Sequence, residues 1–107
     1  MNLLAELIAA RARMAEREHI QGYFYKLHTG RFTNDPPREP SKIVGCCAAG
    51  ALFNGELVRG HFPAYRLLSQ TAGGEDFLSS WNDLPGRTKA EVLELFDRAI
   101  TQARSAP

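Results

Sequence analysis

A run of small and apolar residues in the middle of the chain, GCCAAGALF at residues 45–53, most constrains the fold. The run has no polar face, so it predicts a short helix from about Cys46 to Phe53, capped by Gly55 and buried at the centre of the domain. Glycine costs a helix about 1 kcal/mol relative to alanine. We therefore expect a neighbouring group to approach Gly50 closely, and Trp81 is the predicted neighbour.

Hydrophobic periodicity predicts three more helices around this segment. The first runs from about Leu3 to Glu18 and places a set of charged residues opposite its apolar face: Glu6, Arg13, Glu16 and Arg17. The next runs from Phe62 to Thr71. The last begins at a T-x-x-E capping box formed by Thr88 and Glu91. Three apolar residues between these two helices predict one short helical turn: Phe77, Leu78 and Trp81.

The aromatic stretch at residues 22–33 predicts a β-hairpin with its turn at His28-Thr29-Gly30. Three prolines at residues 34–41 then predict a surface loop. A short strand through Ile43 and Val44 is compatible with the pattern but is not required by it. The whole is a single α+β domain, mostly helical, with about four helices and one small hairpin.

Composition narrows the classes of function. The chain has 107 residues and a net charge of +1, which argues against a dedicated nucleic-acid binder. No apolar run approaches the ~20 residues that span a bilayer. The two cysteines, Cys46 and Cys47, are too few for a disulfide framework, which favours a reducing cytoplasm. We expect no membrane association and no cofactor, and a homodimer is compatible with a chain this short.

Three segments together give the chain a family resemblance. They are Gln21-Gly22-Tyr23, C-A-A-G-A-L at residues 47–52, and W-N-D-x-P-G-R-T at residues 81–88, before a C-terminal helix. The chain resembles an uncharacterised family of small proteins from actinobacteria, other bacteria and phages. The resemblance implies no particular chemistry. It does imply a phage or mobile-element origin, and with it a location in the host cytoplasm.

The adjacent cysteines are the first candidate site. A thiol at a helix N-terminus can act as a nucleophile when a histidine serves as base, so Cys46 or Cys47 with His61 predicts a cysteine-dependent hydrolase as one alternative. A small buried apolar residue is the simpler interpretation of either cysteine. No C-x-x-C or H-x-x-x-H spacing occurs, so no metal site is predicted.

Arg11 and Asp83 are the second candidate. Arg11 falls on the apolar face of the first helix, where it can form an ion pair, with Asp83 or Glu18 as the candidate partner, or grip an anionic ligand. Asp83 and its neighbour Asn82 can bond the turn before the last helix. A small-ligand binder or sponge lined by Arg11 and Asp83 is therefore a further alternative.

The hairpin is the third candidate and carries the leading hypothesis. One of its faces should pack on the helices, and the other should expose aromatic and basic groups: Tyr23, Tyr25, Arg31 and Phe32. Such a surface suits a protein partner, and less well a single-stranded nucleic acid. We therefore expect a non-catalytic interaction module, in the phage setting one that binds and modulates a host defence protein.

Overall fold

A computed structural model describes residues 2–56, 61–74 and 78–105 of the chain. Over these residues five α-helices and four strands occur in the following order: α1 Leu3–Glu16, β1 Glu18–His19, β2 Tyr25–Leu27, β3 Phe32–Thr33, β4 Ile43–Cys46, α2 Ala48–Phe53, α3 Phe62–Thr71, α4 Leu78–Asn82 and α5 Lys89–Ser105. A 3-10 helix at Pro40–Lys42 precedes β4. The mostly helical α+β class is confirmed. Phe77 lies outside the described residues, and α4 begins immediately after it.

The helix ends follow local sequence signals. Asn2 caps α1 by accepting a hydrogen bond from the Ala5 amide at 2.7 Å. The capping box of α5 forms as predicted, because Thr88 Oγ1 accepts from the Glu91 amide at 3.2 Å and Glu91 Oε1 accepts from the Thr88 amide at 2.9 Å. Such reciprocal bonds satisfy amides that have no partner inside the helix. No helix in the described ranges is long and apolar enough to cross a membrane.

Helix α2 lies at the centre, and all six of its residues are buried. It starts two residues later than predicted, because Cys46 ends strand β4 and Cys47 is the N-cap. A side chain on Gly50 would place its Cβ 2.2 Å from the Phe24 carbonyl oxygen. The prediction of Trp81 as the close neighbour is therefore wrong, since backbone rather than an aromatic ring fills the space beside Gly50.

The hairpin is confirmed and belongs to a larger sheet with strand order β1-β4-β2-β3. Strands β2 and β3 pair antiparallel, with Lys26 opposite Phe32, and Gly30 closes the turn with a positive φ. Strand β4 pairs antiparallel with β2 and parallel with β1. Helix α1 ends at Glu16 rather than Glu18, because Glu18 enters the parallel pair opposite Gly45.

Two of the charged residues predicted opposite the apolar face of the first helix, Arg13 and Arg17, bind acceptors at the end of α2. Arg13 donates to the carbonyls of Ala51 and Leu52, at 2.8 and 3.2 Å, and Arg17 donates to Asn54 Oδ1 at 2.8 Å. Two cations thus stabilise the C-terminus of α2, where carbonyl groups lack helical partners and the dipole favours positive charge.

Candidate functional site

Strand alternation divides the hairpin into a buried face and an exposed one. Lys26 and Phe32 are opposite each other on the exposed side, while Tyr25 and Thr33 are opposite each other on the buried side. Tyr25 is 2% exposed, and its hydroxyl accepts from the Gly55 amide at 2.9 Å. The prediction that Tyr25 belongs to the exposed binding surface is wrong. Tyr23 precedes strand β2, so the alternation that would put Tyr23 and Tyr25 on the same face does not extend to Tyr23.

We call the exposed side the outer sheet face and define it by four residues: Tyr23, Lys26, Phe32 and Val44. Three of them are large apolar side chains that are 47%, 44% and 41% exposed: Tyr23, Phe32 and Val44. The rings of Tyr23 and Phe32 lie 5.7 Å apart, and Lys26 Nζ lies 5.5 Å from the Phe32 centroid. Val44 projects from a β-bulge, because one step along β2 matches two along β4.

Charge borders this face. Lys26 forms a 2.8 Å ion pair with Glu18 on strand β1, so its ammonium is held beside the Phe32 ring. Arg31 directly precedes Phe32 and is exposed. An aromatic centre with a charged margin is the composition typical of protein-binding surfaces.

The buried side-chain amide of Asn82 joins α4 to two other segments of the chain. Asn82 is fully buried, and its Oδ1 accepts from the Ala48 amide at 3.1 Å and lies 2.8 Å from His19 Nε2. Its Nδ2 donates to the Ile20 carbonyl and to Asp83 Oδ1, both at 3.0 Å. Because the Ala48 amide must meet an acceptor, the Asn82 oxygen faces it, and His19 Nε2 is then the donor in its contact with that oxygen.

A cleft of about 240 Å³ opens between the hairpin and α4. Its walls come from the hairpin, the loop after it, α4 and the N-cap of α2: Gly22, Tyr23, Phe24, Asn34, Cys47, Ser79 and Asp83. Asp83 Oδ1 accepts from the Gly22 amide at 3.0 Å, which ties the α4 end of the cleft to the hairpin. Tyr23 thus belongs both to the cleft and to the outer sheet face.

Arg11 and Asp83 do not meet at one site. Arg11 is part-exposed and forms a bidentate pair with Asp97 on α5, with Nε donating to Oδ1 at 2.8 Å and Nη2 donating to Oδ2 at 3.3 Å. Neither predicted partner, Asp83 or Glu18, is the one it uses. Among the described residues that line the Asp83 cleft, Arg11 is absent.

The cysteines and His61 are also engaged separately. His61 Nδ1 lies 2.9 Å from Glu6 Oε1, a largely buried pair between α1 and the start of α3. Cys47 Sγ accepts from the Gly50 amide at 3.3 Å, so the sulfur serves as the N-cap of α2. Burial raises the pKa of Cys46, and it raises that of Cys47 to about 12. This environment favours the protonated thiol over the nucleophilic thiolate.

Comparison with known protein families identifies the family of this chain. Residues 2–102 match a family of unknown function, DUF6197. The chain belongs to this family. The sequence resemblance to an uncharacterised family is thereby confirmed, whereas the actinobacterial and phage origin stays a prediction. No curated protein and no solved structure matches the chain.

For this DUF6197 chain, the thiols provide a direct test of the hydrolase hypothesis. At pH 7 a pKa of about 12 leaves Cys47 with a thiolate fraction about 1000-fold below that of a cysteine at 9.0. We expect iodoacetamide to label both cysteines slowly in the native state and rapidly in denaturant, as measured by mass spectrometry. Rapid native labelling of one cysteine, lost on replacing His61 with alanine, would instead establish a reactive pair.

Proposed function

We propose that the chain is a non-catalytic protein-interaction module that binds its partner through the outer sheet face. The observation that carries the proposal is the exposure of the contacting Tyr23 and Phe32 rings, with Val44 also exposed at the irregularity of strand β4. Large apolar side chains grouped on a surface lower the free energy of association when a partner buries them.

The surroundings of the face support a protein partner. The Tyr23 and Phe32 rings contact each other, and the Lys26–Glu18 ion pair holds the lysine ammonium beside the Phe32 ring. The face is therefore partly ordered before binding, which reduces the entropy lost on association. Both signs of charge lie at its margin, which favours a mixed protein surface over a polyanion such as nucleic acid.

The nature of the partner rests on the sequence resemblance alone. In a phage or mobile-element setting the partner would be a host protein, and an anti-defence role would follow. These parts of the proposal stay predictions, and genomic neighbourhood is the observation that addresses them.

Affinity capture with matched variants tests the proposal. We expect the double substitution Tyr23→Ser with Phe32→Ser to abolish retention of the partner, because it removes both aromatic anchors while leaving the buried face of the hairpin intact. The control is Phe62→Ser, since Phe62 is 48% exposed and belongs to α3, outside the sheet strands. Retained proteins are quantified by mass spectrometry.

Retention of the partner is compared for the wild type, the Tyr23→Ser/Phe32→Ser double variant and the Phe62→Ser control. A protein retained by the wild type and by Phe62→Ser, but lost with the hairpin double variant, supports the proposal. A partner retained equally by all three, or lost only with Phe62→Ser, would assign binding to another surface. Circular dichroism spectra of the variants confirm that each one is folded.

A further inference from the structure

The cleft beside Tyr23 has the chemistry of a subsite for a cation. Asp83 contributes the single formal charge among the described residues that line it. Asn34, Ser79 and Tyr23 also line the cleft, and their side chains carry an amide, a hydroxyl and an aromatic ring. A carboxylate together with an aromatic face attracts an ammonium or guanidinium group through Coulomb and cation–π interactions.

The Asp83 carboxylate is held in place within the cleft. Its Oδ1 accepts from the Gly22 amide and from Asn82 Nδ2, both at 3.0 Å, and its backbone amide donates to the Ser79 carbonyl at 2.9 Å. Lys26, the cation of the outer sheet face, pairs with Glu18 and lies over Phe32. A ligand cation therefore meets a preorganised carboxylate, which limits the entropy lost on binding.

We propose that this cleft receives a lysine or arginine side chain of the protein partner. The inference rests on the proposed function, since Tyr23 belongs both to the outer sheet face and to the cleft. Charge complementarity identifies the occupant, because the cleft contains the Asp83 carboxylate and the aromatic residue Tyr23. A lysine or arginine side chain carries the opposite charge at the end of a flexible chain long enough to enter the cleft. The subsite then supplies specificity beside an apolar contact surface.

Capped amino acids test the subsite without the partner. The probes are N-acetyl-arginine methylamide and N-acetyl-lysine methylamide, with the citrulline analogue as the neutral isostere of arginine. Each is titrated into ¹⁵N-labelled protein, and amide chemical shifts are followed by NMR. We expect saturable shifts at Gly22, Asn34 and Asp83 with the two cations, and an affinity for citrulline at least about tenfold weaker than for arginine.

Two variants locate the binding group. Asp83→Asn keeps an Oδ1 acceptor for the Gly22 amide but removes the charge, so we expect it to weaken cation binding by about tenfold or more. Glu94→Gln makes the same change of charge on the exposed side of α5 and should leave affinity unchanged. Raised salt should weaken binding to the wild type.

The outcomes separate this inference from the proposed function. No shifts at the cleft, equal binding of citrulline and arginine, or an Asp83→Asn protein that binds like the wild type would each overturn the cation subsite. Tighter binding of free spermidine than of the capped residues would also overturn it, because the source would then be a small polyamine. None of these results alters retention of the partner by the outer sheet face, which the capture experiment measures separately.

Discussion

Replacing Asn82 with leucine should lower the free energy of unfolding by about 4 kcal/mol. Leucine has the same number and branching of side-chain heavy atoms but cannot form hydrogen bonds, so the substitution removes the acceptor for the Ala48 amide and the donor to the Ile20 carbonyl. Both backbone groups would then be buried without these partners, and the desolvation of each costs about 1–3 kcal/mol. Urea unfolding followed by circular dichroism measures the loss as a shift of the midpoint at constant slope.

The matched control for this prediction is Asn34→Leu. Asn34 is exposed, and its Oδ1 accepts one hydrogen bond, from the Phe24 amide at 3.0 Å. An amide near solvent can bond water after the substitution, so we expect a loss of at most about 1 kcal/mol. Equal losses for the two variants would contradict a special role for the buried amide.

Replacing Gly50 with alanine should destabilise the protein by about 3 kcal/mol. The sign of the change in unfolding free energy is informative, because the same substitution inside an ordinary helix stabilises a protein by about 1 kcal/mol. Here the new Cβ would lie 2.2 Å from the Phe24 carbonyl oxygen, which also accepts the Cys47 amide at 3.2 Å. The hairpin and α2 would have to separate, and that bond would lengthen.

Gly45→Ala provides a graded comparison for Gly50. A Cβ at Gly45 would meet Ile20 Cγ2 at 3.1 Å and the Glu18 carbonyl oxygen at 3.2 Å, so small adjustments relieve the contact. We expect a loss of about 1 kcal/mol in the same urea experiment. A Gly50→Ala protein as stable as the wild type would show that the Phe24 carbonyl group does not pack closely against Gly50.

The parts of the fold that the sequence predicts are those with local causes. The capping box of α5, the bounds of α3 and the turn at Gly30 each depend on residues a few positions apart. The sequence predicts a helix at Glu18 instead of strand β1, and it leaves a strand at β4 compatible but not required, because their pairing joins Glu18 to Gly45 and neither segment shows a clear alternation of polar and apolar residues. Strands of two to four residues are too short to show a periodic pattern from which the pairing of distant segments could be predicted.

The same distinction applies to the candidate site. The exposed aromatic pair, Tyr23 and Phe32, could be predicted because a half-buried hairpin must expose one face. The role of Asn82 could not, since its partners Ile20 and Ala48 lie 62 and 34 positions away. The turn sequence Asn82-Asp83 was the available signal, and it is equally typical of an ordinary surface turn.

The parallel pairing of β1 with β4 also bears on how quickly the chain reaches its native state. Helical bundles fold within microseconds to milliseconds because most of their contacts are near neighbours in sequence. In this domain β4 pairs with β1 although Glu18 and Gly45 are 27 positions apart in sequence, and the Asn82 side chain binds Ile20, which is 62 positions away. We therefore expect the closure of these long loops, rather than helix formation, to limit the folding rate, which should lie between the rates of helical bundles and those of all-β domains.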